Sequence, residues 1–310
     1  MNNYDNIGNS KRGKVFAIIS DYDGTLCPTG DIRAKEGRNR MPKELENLLL
    51  QISRRIPICV LSSKDYRFLH DKVPFANIIS CILGMETIVV DRDETSRMIT
   101  DIRARHLLLD DSKLIESNDH SLNHLAMDVA SRFPEIEIER KFTLDGFLAG
   151  ITLDWRNQKD WMKYSTSLPA YIQDVLLYEP YCFSPTLHLQ TYKSHPFVDV
   201  YTVECNKGFG FDCIVEELKY HQGMGDILYL GDSENDNTAF RKASFSVGIV
   251  SDARLNSDLE CEFVIDYSQL ANFLGLLMNN DFVVSEKVLV PMRNMVSSSD
   301  KSKNEVAGEE

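Results

Sequence analysis

The chain has 310 residues, 43% of them hydrophobic, so it is long enough to build one large domain or two smaller ones around real cores. Its formal net charge of −13 repels polyanions, which argues against nucleic acid and anionic membrane surfaces as partners. The first residues are polar, and no later stretch approaches about 18 uninterrupted apolar residues. We therefore expect a cytoplasmic globular protein, in which a small anionic substrate would need a metal ion or a locally positive pocket.

Three apolar runs predict buried strands that end in small or acidic residues: 15–21 (VFAIISD), 56–63 (IPICVLSS) and 226–232 (DILYLGD). Runs that are apolar throughout, rather than alternating, are typical of strands covered on both faces of a parallel sheet. Helical periodicity separates these runs, at 41–55 and again after Lys207. The pattern predicts an α/β core whose ligand crevice lies at the carboxyl ends of the strands.

The middle of the chain has a different pattern. Residues 135–156 contain two strand-like runs around an LDG turn, which predicts an antiparallel hairpin. A helical stretch at 157–174 follows, and then two further strand-like runs, 174–179 (DVLLYE) and 186–192 (TLHLQTY). These elements predict a separate α+β module inserted into the α/β core.

The inserted module sets the predicted domain limits. We place the module at 106–195, between core segments at 14–105 and 196–281. The ends of the chain, 1–13 and 282–310, are polar and lack apolar periodicity, so we expect flexible tails there.

Four short polar signatures follow strands or open a helix of the predicted core. They are 21–26 (DYDGTL), 61–65 (LSSKD), 206–208 (NKG) and 231–236 (GDSEND). Each signature alone also fits a surface turn, a solvated cation or a helix cap, because Asp, Ser and Gly are common at such places. Their chemistry becomes specific only when the four are combined.

Together the signatures supply the groups that phosphoryl transfer requires. Asp21 can attack phosphorus and form an aspartyl phosphate. Asp23 can protonate the leaving oxygen and then deprotonate a water molecule. Ser62 can donate a hydrogen bond to a phosphoryl oxygen, and Lys207 can balance negative charge.

A phosphate dianion attacked by a carboxylate also needs a divalent cation, which hard oxygen ligands hold. Asp232, together with Asp21 and Asp236, could supply those oxygens. We therefore predict Mg²⁺ as the cofactor, and carboxylates that would be costly to bury alone are then compensated by a cation.

In this order the four signatures resemble the four motifs of the haloacid dehalogenase (HAD) superfamily, in its large group of phosphatases. The resemblance covers about residues 14 to 280 in layout, and the motifs are its specific part. It implies a Rossmann-like core with a parallel sheet and a C2-type cap inserted between the second and third motifs. It also implies Asp21 as nucleophile, Asp23 as acid/base and backbone-carbonyl metal ligand, and Asp232 as metal ligand.

Within that group the sequence is most similar to trehalose-6-phosphate phosphatases. Residues 138–156 resemble that family's cap hairpin, and 198–208 resemble its strand leading to the catalytic lysine. The resemblance implies that Glu139, Lys141 and Arg156 bind the sugar. The alternative for these three is a solvated hairpin face with cross-strand ion pairs.

Two departures keep other substrates open. The fourth motif has no second aspartate directly after Asp232, and LSSKD stands where trehalose-6-phosphate phosphatases have Ser-Gly-Arg. Such features occur in phosphatases of mannosyl-3-phosphoglycerate and sucrose-6-phosphate. The prediction is a Mg²⁺-dependent sugar-phosphate phosphatase, with trehalose 6-phosphate as the expected substrate. A phosphomutase and a non-catalytic sugar-phosphate sensor are the alternatives.

Overall fold

A computed structural model of the chain describes residues 13–28, 40–93, 98–107, 112–159, 161–177, 187–193, 195–251, 258–285 and 288. The chain divides into two compact units. The first unit comprises Met1–Val60, Val73–Asn77 and Val215–Glu310, and the second comprises Leu61–Lys72 and Ile78–Ile214. None of the described helices is both long and apolar enough to cross a membrane.

The described strands are β1 (Val15–Ser20), β2 (Ile58–Leu61), β3 (Ile78–Cys81), β4 (Glu86–Asp93), β5 (Met98–Leu107), β6 (Glu137–Phe142), β7 (Leu148–Asp154), β8 (His188–Thr191), β9 (Phe197–Tyr201), β10 (Asp226–Gly231), β11 (Phe245–Val250) and β12 (Phe263–Asp266). The described α-helices are α1 (Lys43–Ile52), α2 (Tyr66–Leu69), α3 (Ser112–Arg132), α4 (Trp161–Leu177), α5 (Lys207–Gln222), α6 (Asn237–Phe240) and α7 (Leu270–Asn279).

The first unit is built on parallel strands in the order β12-β11-β10-β1-β2. All six residues of β11 and all four of β2 are buried, as expected for strands covered on both faces. Helix α1 buries Leu45, Leu49 and Ile52 and packs against α7. The predicted α/β class and the three predicted strands of this sheet are therefore confirmed.

The second unit contains two antiparallel arrangements. Strands β3, β4 and β5 pair in sequence, and β6, β7, β9 and β8 form a four-stranded sheet in that order. One face of the four-stranded sheet packs on α3 and α4 through a core that includes Leu125, Ile151, Leu168 and Val200. The predicted hairpin is confirmed, and Gly146 forms its turn with a φ of 93°.

One predicted strand is wrong. The run 174–179 was expected to be extended, but its first four residues continue α4 as far as Leu177. Val175 and Leu176 pack against the core that already holds Leu168 and Ile172. This helical spacing of buried residues outweighs the β-propensity of the run.

The predicted tails lie almost entirely outside the described residues. At their inner ends, Val284 N–H donates to Gly13 O, and Val15 N–H donates to Phe282 O. The predicted strand at 186–192 is present as β8.

Candidate active site

Three carboxylates converge at the carboxyl ends of β1 and β10 in the first unit. Asp21 follows β1, Asp232 follows β10, and Asp236 closes the turn after Asp232. One carboxylate oxygen from each lies within 4.8 Å of the others. Strands β1 and β10 are adjacent and parallel, so their carboxyl ends lie side by side and bring these groups together. At this end of the pair, Asp21 N–H donates to Leu230 O at 2.9 Å. The sequence-predicted carboxylates of these two signatures are thus neighbours in the structure.

The loop after β1 is folded tightly against Asp232. Gly24 has a φ of 83°, and its N–H donates to Cys27 O at 2.7 Å. A β-carbon at Gly24 would lie 1.9 Å from Asp232 Oδ2, so only glycine allows this approach. Asp23 is half-buried in the same turn, next to the residue that lets the chain reverse.

Asp236 is fully buried and holds the turn that carries Asp232. Its Oδ2 accepts from the N–H of Asp232 at 3.2 Å and from the N–H and Oγ of Ser233, each at 3.1 Å. Its Oδ1 accepts from the Tyr229 hydroxyl at 2.6 Å. Burial, and then the neighbouring Asp236 and Asp21, raise the pKa of Tyr229 well above its ordinary value, so the phenol stays protonated and donates.

The donor set of this cluster fits a magnesium ion. Its atoms are carboxylate oxygens, the ligand type that Mg²⁺ prefers, and three carboxylates this close repel one another unless a cation or protons compensate them. Asp21 is 5% exposed, and Asp232 is half-buried, so the cluster opens to solvent on one side.

The second signature lies in the second unit, directly after β2. Ser62 is 1% exposed, and its backbone is held by Ser80 O and Leu83 N–H, each at 3.0 Å. Its Oγ accepts from Lys64 N–H at 3.2 Å, which closes a tight turn. Asp65 then caps α2 by accepting from Phe68 N–H. Ser62 is therefore fixed at a strand end, as the sequence predicted.

Lys207 is the first residue of α5 and is 2% exposed. The helix begins in very close contact with its surroundings, because a β-carbon at Gly210 would lie 2.7 Å from Gly84 Cα. The reciprocal β-carbon at Gly84 would lie 2.3 Å from Gly210 N. Two glycines therefore let the start of α5 settle on the residues that follow β3.

The predicted sugar-binding residues differ sharply in their surroundings. Glu139 on β6 is 40% exposed and pairs with Lys64, whose Nζ lies 2.5 Å from Glu139 Oε2. Burial alone raises the pKa of Glu139, but Lys64 and Lys141 more than offset this, and the pKa is lowered. Arg156 is exposed and donates to Asp154 through Nε at 2.6 Å.

Lys141 is enclosed by the four-stranded sheet, with a side chain only 1% exposed. Its Nζ lies 2.6 Å from Thr152 Oγ1, 2.9 Å from Asp199 Oδ1 and 3.2 Å from the Tyr201 hydroxyl. Burial alone raises the pKa of Asp199, but Lys141 and the hydrogen bonds more than offset this, so the pKa is lowered and the carboxylate is charged.

Two residues of this region were missed by the sequence reasoning. Lys64 stands in a signature for which only the serines were assigned, and Asp199 interrupts an apolar strand, FVDVY. A charge inside a strand with buried neighbours is itself a signal of a buried partner. Strand alternation could have matched Asp199 with Thr152, but the pairing of β7 with β9 was needed first.

No protein-family model matches the chain, and no curated protein matches it. Solved structures do. A protein described as related to trehalose-6-phosphate phosphatase aligns with a TM-score of 0.57 at 15% identity, covering 84% of this chain and 96% of that one. The C-terminal domain of the C. albicans trehalose-6-phosphate phosphatase gives 0.57 at 18%, covering 88% and 94%.

A Bacteroides thetaiotaomicron phosphatase of the HAD superfamily is also similar. It aligns with a TM-score of 0.51 at 13% identity, covering 86% of this chain and 95% of that one. At such identities the likeness concerns the fold. The chain therefore has the mixed α/β fold of HAD phosphatases, a parallel-dominated core with an additional antiparallel sheet.

Proposed function

We propose that this protein is a phosphomonoesterase that hydrolyses sugar phosphates through an aspartyl-phosphate intermediate. The observation that carries the proposal is the convergence of Asp21, Asp232 and Asp236 at adjacent strand ends, with Gly24 folded against Asp232. Carboxylates held this close together and largely shielded from water are costly unless they serve a cation or a reaction. The likeness of the fold to HAD phosphatases supports the same conclusion.

The proposed reaction has two displacements. A carboxylate oxygen of Asp21 attacks phosphorus, and the bond from phosphorus to the sugar oxygen breaks while Asp23 gives that oxygen a proton. Asp23 then removes a proton from water, which attacks phosphorus and releases inorganic phosphate from Asp21. For Ser62 and Lys207, in the other unit, we keep the roles of hydrogen-bond donor and charge-balancing group that the sequence predicts.

Asp21, Asp232 and the backbone carbonyl of Asp23 would hold Mg²⁺. When bound, the ion supplies charge neutralisation for the carboxylates and the phosphate. Asp236 is placed differently, because both of its oxygens already accept hydrogen bonds from the turn and from Tyr229. We assign Asp236 the positioning of Asp232 in addition to the negative charge it adds to the cluster.

We propose trehalose 6-phosphate as the substrate. The cap hairpin that resembles trehalose-6-phosphate phosphatases carries Glu139, half-exposed on the polar face of its sheet. Arg156 lies exposed after β7 of the same sheet and pairs with Asp154, and we propose that it contacts the substrate as well. Similar solved structures include enzymes named for that substrate, which supports the choice.

The test is phosphate release from a panel that contains trehalose 6-phosphate, sucrose 6-phosphate, mannosyl-3-phosphoglycerate and p-nitrophenyl phosphate. We expect release with Mg²⁺, fastest from trehalose 6-phosphate, and less than about a hundredth of that rate in Asp21→Asn, because an amide cannot form the acyl phosphate. A folded Asp21→Asn variant that retains wild-type rates would refute the nucleophile. Transfer of phosphate back to sugar without release would identify a mutase, and binding without turnover would identify a sensor.

A further inference from the structure

We propose that Lys141 is a positioning residue rather than a sugar ligand, and that a hydrogen-bonded network from Lys141 through Asp199, Tyr192 and Gln190 fixes the segment that carries Lys207. The proposal rests on the proposed phosphatase function for its catalytic consequence. Its structural content stands on the geometry of the second unit alone.

The ammonium group of Lys141 has its hydrogen-bonding capacity filled inside the sheet. An ammonium has three N–H donors, and three acceptors surround it on Thr152, Asp199 and Tyr201. A sugar hydroxyl could bind only by displacing one of them. Breaking a buried ion pair leaves an uncompensated charge, which is strongly unfavourable. Glu139, by contrast, is 40% exposed on the same face of β6 and reaches solvent.

The hydrogen-bonded network continues from Asp199 toward α5. The hydroxyl of Tyr192 has one hydrogen and two acceptors within reach, Asp199 Oδ2 at 2.7 Å and Gln190 Oε1 at 3.0 Å, and it shares that hydrogen between them. The amide nitrogen of Gln190 donates to Cys205 O at 2.8 Å. Cys205 is two residues before Lys207, so the hydrogen-bonded network ends on the connection between β9 and α5.

This connection has a second anchor on its helical side. The first turn of α5 rests on Gly84 with backbone atoms in close contact, and Asn206 Oδ1 accepts from Phe209 N–H at 3.2 Å. The glycine contact fixes where α5 lies, and Gln190 fixes the carbonyl of the segment that enters it. Loosening the Gln190 contact would therefore let the backbone before Lys207 move, while the helix itself stays in place.

The proposal predicts an effect that does not depend on the sugar. If Lys141 bound sugar hydroxyls, loss of its network would injure only sugar substrates. If the network positions Lys207, it acts on the phosphoryl group that every substrate carries. The same factor should then appear for trehalose 6-phosphate and for p-nitrophenyl phosphate, in kcat more than in KM, because charge balance matters most in the transition state.

The experiment uses Tyr192→Phe and Gln190→Leu, both half-buried positions whose substitution spares the buried ion pair. The matched control is Tyr171→Phe. It also removes a tyrosine hydroxyl that donates to a carboxylate of the second unit, Asp128, but this pair lies outside the network. Two measurements are made on the full-length chain. One is kcat and KM for both substrates, and the other is hydrogen exchange of the amides in residues 203–211.

We expect kcat to fall about 2- to 13-fold on both substrates in either variant, the range for one lost hydrogen bond. The double variant should lose no more of its kcat than the more strongly affected single variant, because both residues act through the same hydrogen-bonded network. Exchange across 203–211 should quicken in both variants and stay unchanged in Tyr171→Phe. A Lys141→Met variant that folds should follow the same pattern.

Two results would overturn the proposal. Unchanged hydrogen exchange of the amides in residues 203–211 in both variants would show that the hydrogen-bonded network does not hold this segment. Loss confined to trehalose 6-phosphate would place Tyr192 and Gln190 in the sugar site. If the wild-type protein released phosphate from no substrate, the proposed function would fail, and the exchange comparison would still decide whether the network exists.

Discussion

Replacing Asp236 with asparagine or alanine distinguishes a turn-forming carboxylate from a direct metal ligand. Asparagine keeps one oxygen, which can still accept from Asp232 and Ser233, and its amide can donate to the Tyr229 hydroxyl. The variant then loses mainly the charge that strengthens these bonds, about 1 to 3 kcal/mol in total. Alanine removes the acceptor of the Tyr229 phenol and of the Asp232 and Ser233 N–H groups, which costs about 3 kcal/mol or more.

Asp232→Asn is the matched comparison. It removes a like charge from a cluster whose oxygens lie within 4.8 Å, and at that separation the repulsion is about 1 to 3 kcal/mol in a surface-like dielectric. In a chelating buffer Asp232→Asn should therefore be as stable as the wild type or more stable. Both Asp236 variants remove a like charge from the same cluster but also lose hydrogen bonds, so both should be less stable than Asp232→Asn, with Asp236→Ala the least stable. Urea unfolding in excess EDTA measures this difference directly.

The companion assay is the Mg²⁺ concentration that gives half-maximal phosphate release. Loss of a group that orients a ligand typically costs 10- to 100-fold in metal affinity, and loss of the ligand itself should cost more. We expect Asp232→Asn to exceed Asp236→Asn in this measurement. The reasoning is refuted if Asp236→Asn unfolds in EDTA at or above the urea concentration at which Asp232→Asn unfolds, while its Mg²⁺ requirement rises as far as that of Asp232→Asn.

Three further changes test the rest of the site. Excess EDTA should stop phosphate release and added Mg²⁺ should restore it; full activity in chelator would exclude the ion. Gly24→Ala should lower activity at least about tenfold, because its β-carbon would meet Asp232, whereas Gly223→Ala, equally strained at φ 103° but with nothing within 4 Å, should lose only stability. Glu139→Gln should lower kcat/KM for the sugar phosphate about 10- to 150-fold and spare p-nitrophenyl phosphate. Burial raises the pKa of Glu139, but the ammonium groups of Lys64 and Lys141 more than offset this and lower the pKa from its ordinary 4.5. Any stability that the ion pair with Lys64 contributes is therefore present above about pH 4.5 and is lost as pH falls through the lowered pKa. The melting temperatures of Glu139→Gln and wild type should converge at that acidic pH.

The elements that could be predicted from the sequence are those with one dominant local signal. An uninterrupted apolar run followed by Asp21 fixes both a buried strand and the end at which its carboxylate emerges. The hairpin around Gly146 follows from two alternating runs and a turn residue. In both places local preference and the global fold agree, so the pattern suffices.

The remaining features depend on partners far away in the chain. Strands β3, β4 and β5 were not predicted, because β4 and β5 mix charged and apolar residues and are stabilised by pairing with each other. The end of α4 depends on the core beneath it, as the misassigned run 174–179 shows. Lys141 was expected to face a ligand, since a sequence contains the charge but not the register that places Asp199 beside it.

The charge pairing of the four-stranded sheet bears on the choice between the candidate sugars. On its polar face, among the described residues, Lys141 is neutralised by Asp199, and Glu139 is neutralised by Lys64. A face whose Lys141 and Glu139 are already paired and that carries many hydrogen-bonding groups suits hydroxyl groups, which it can contact without burying a net charge. The carboxylate of mannosyl-3-phosphoglycerate would instead need an additional cation there, or one drawn from an existing pair at the cost of breaking it. If the sugar rests on this face, as the proposed role of Glu139 requires, the balance favours a disaccharide whose only anionic group is the phosphate itself.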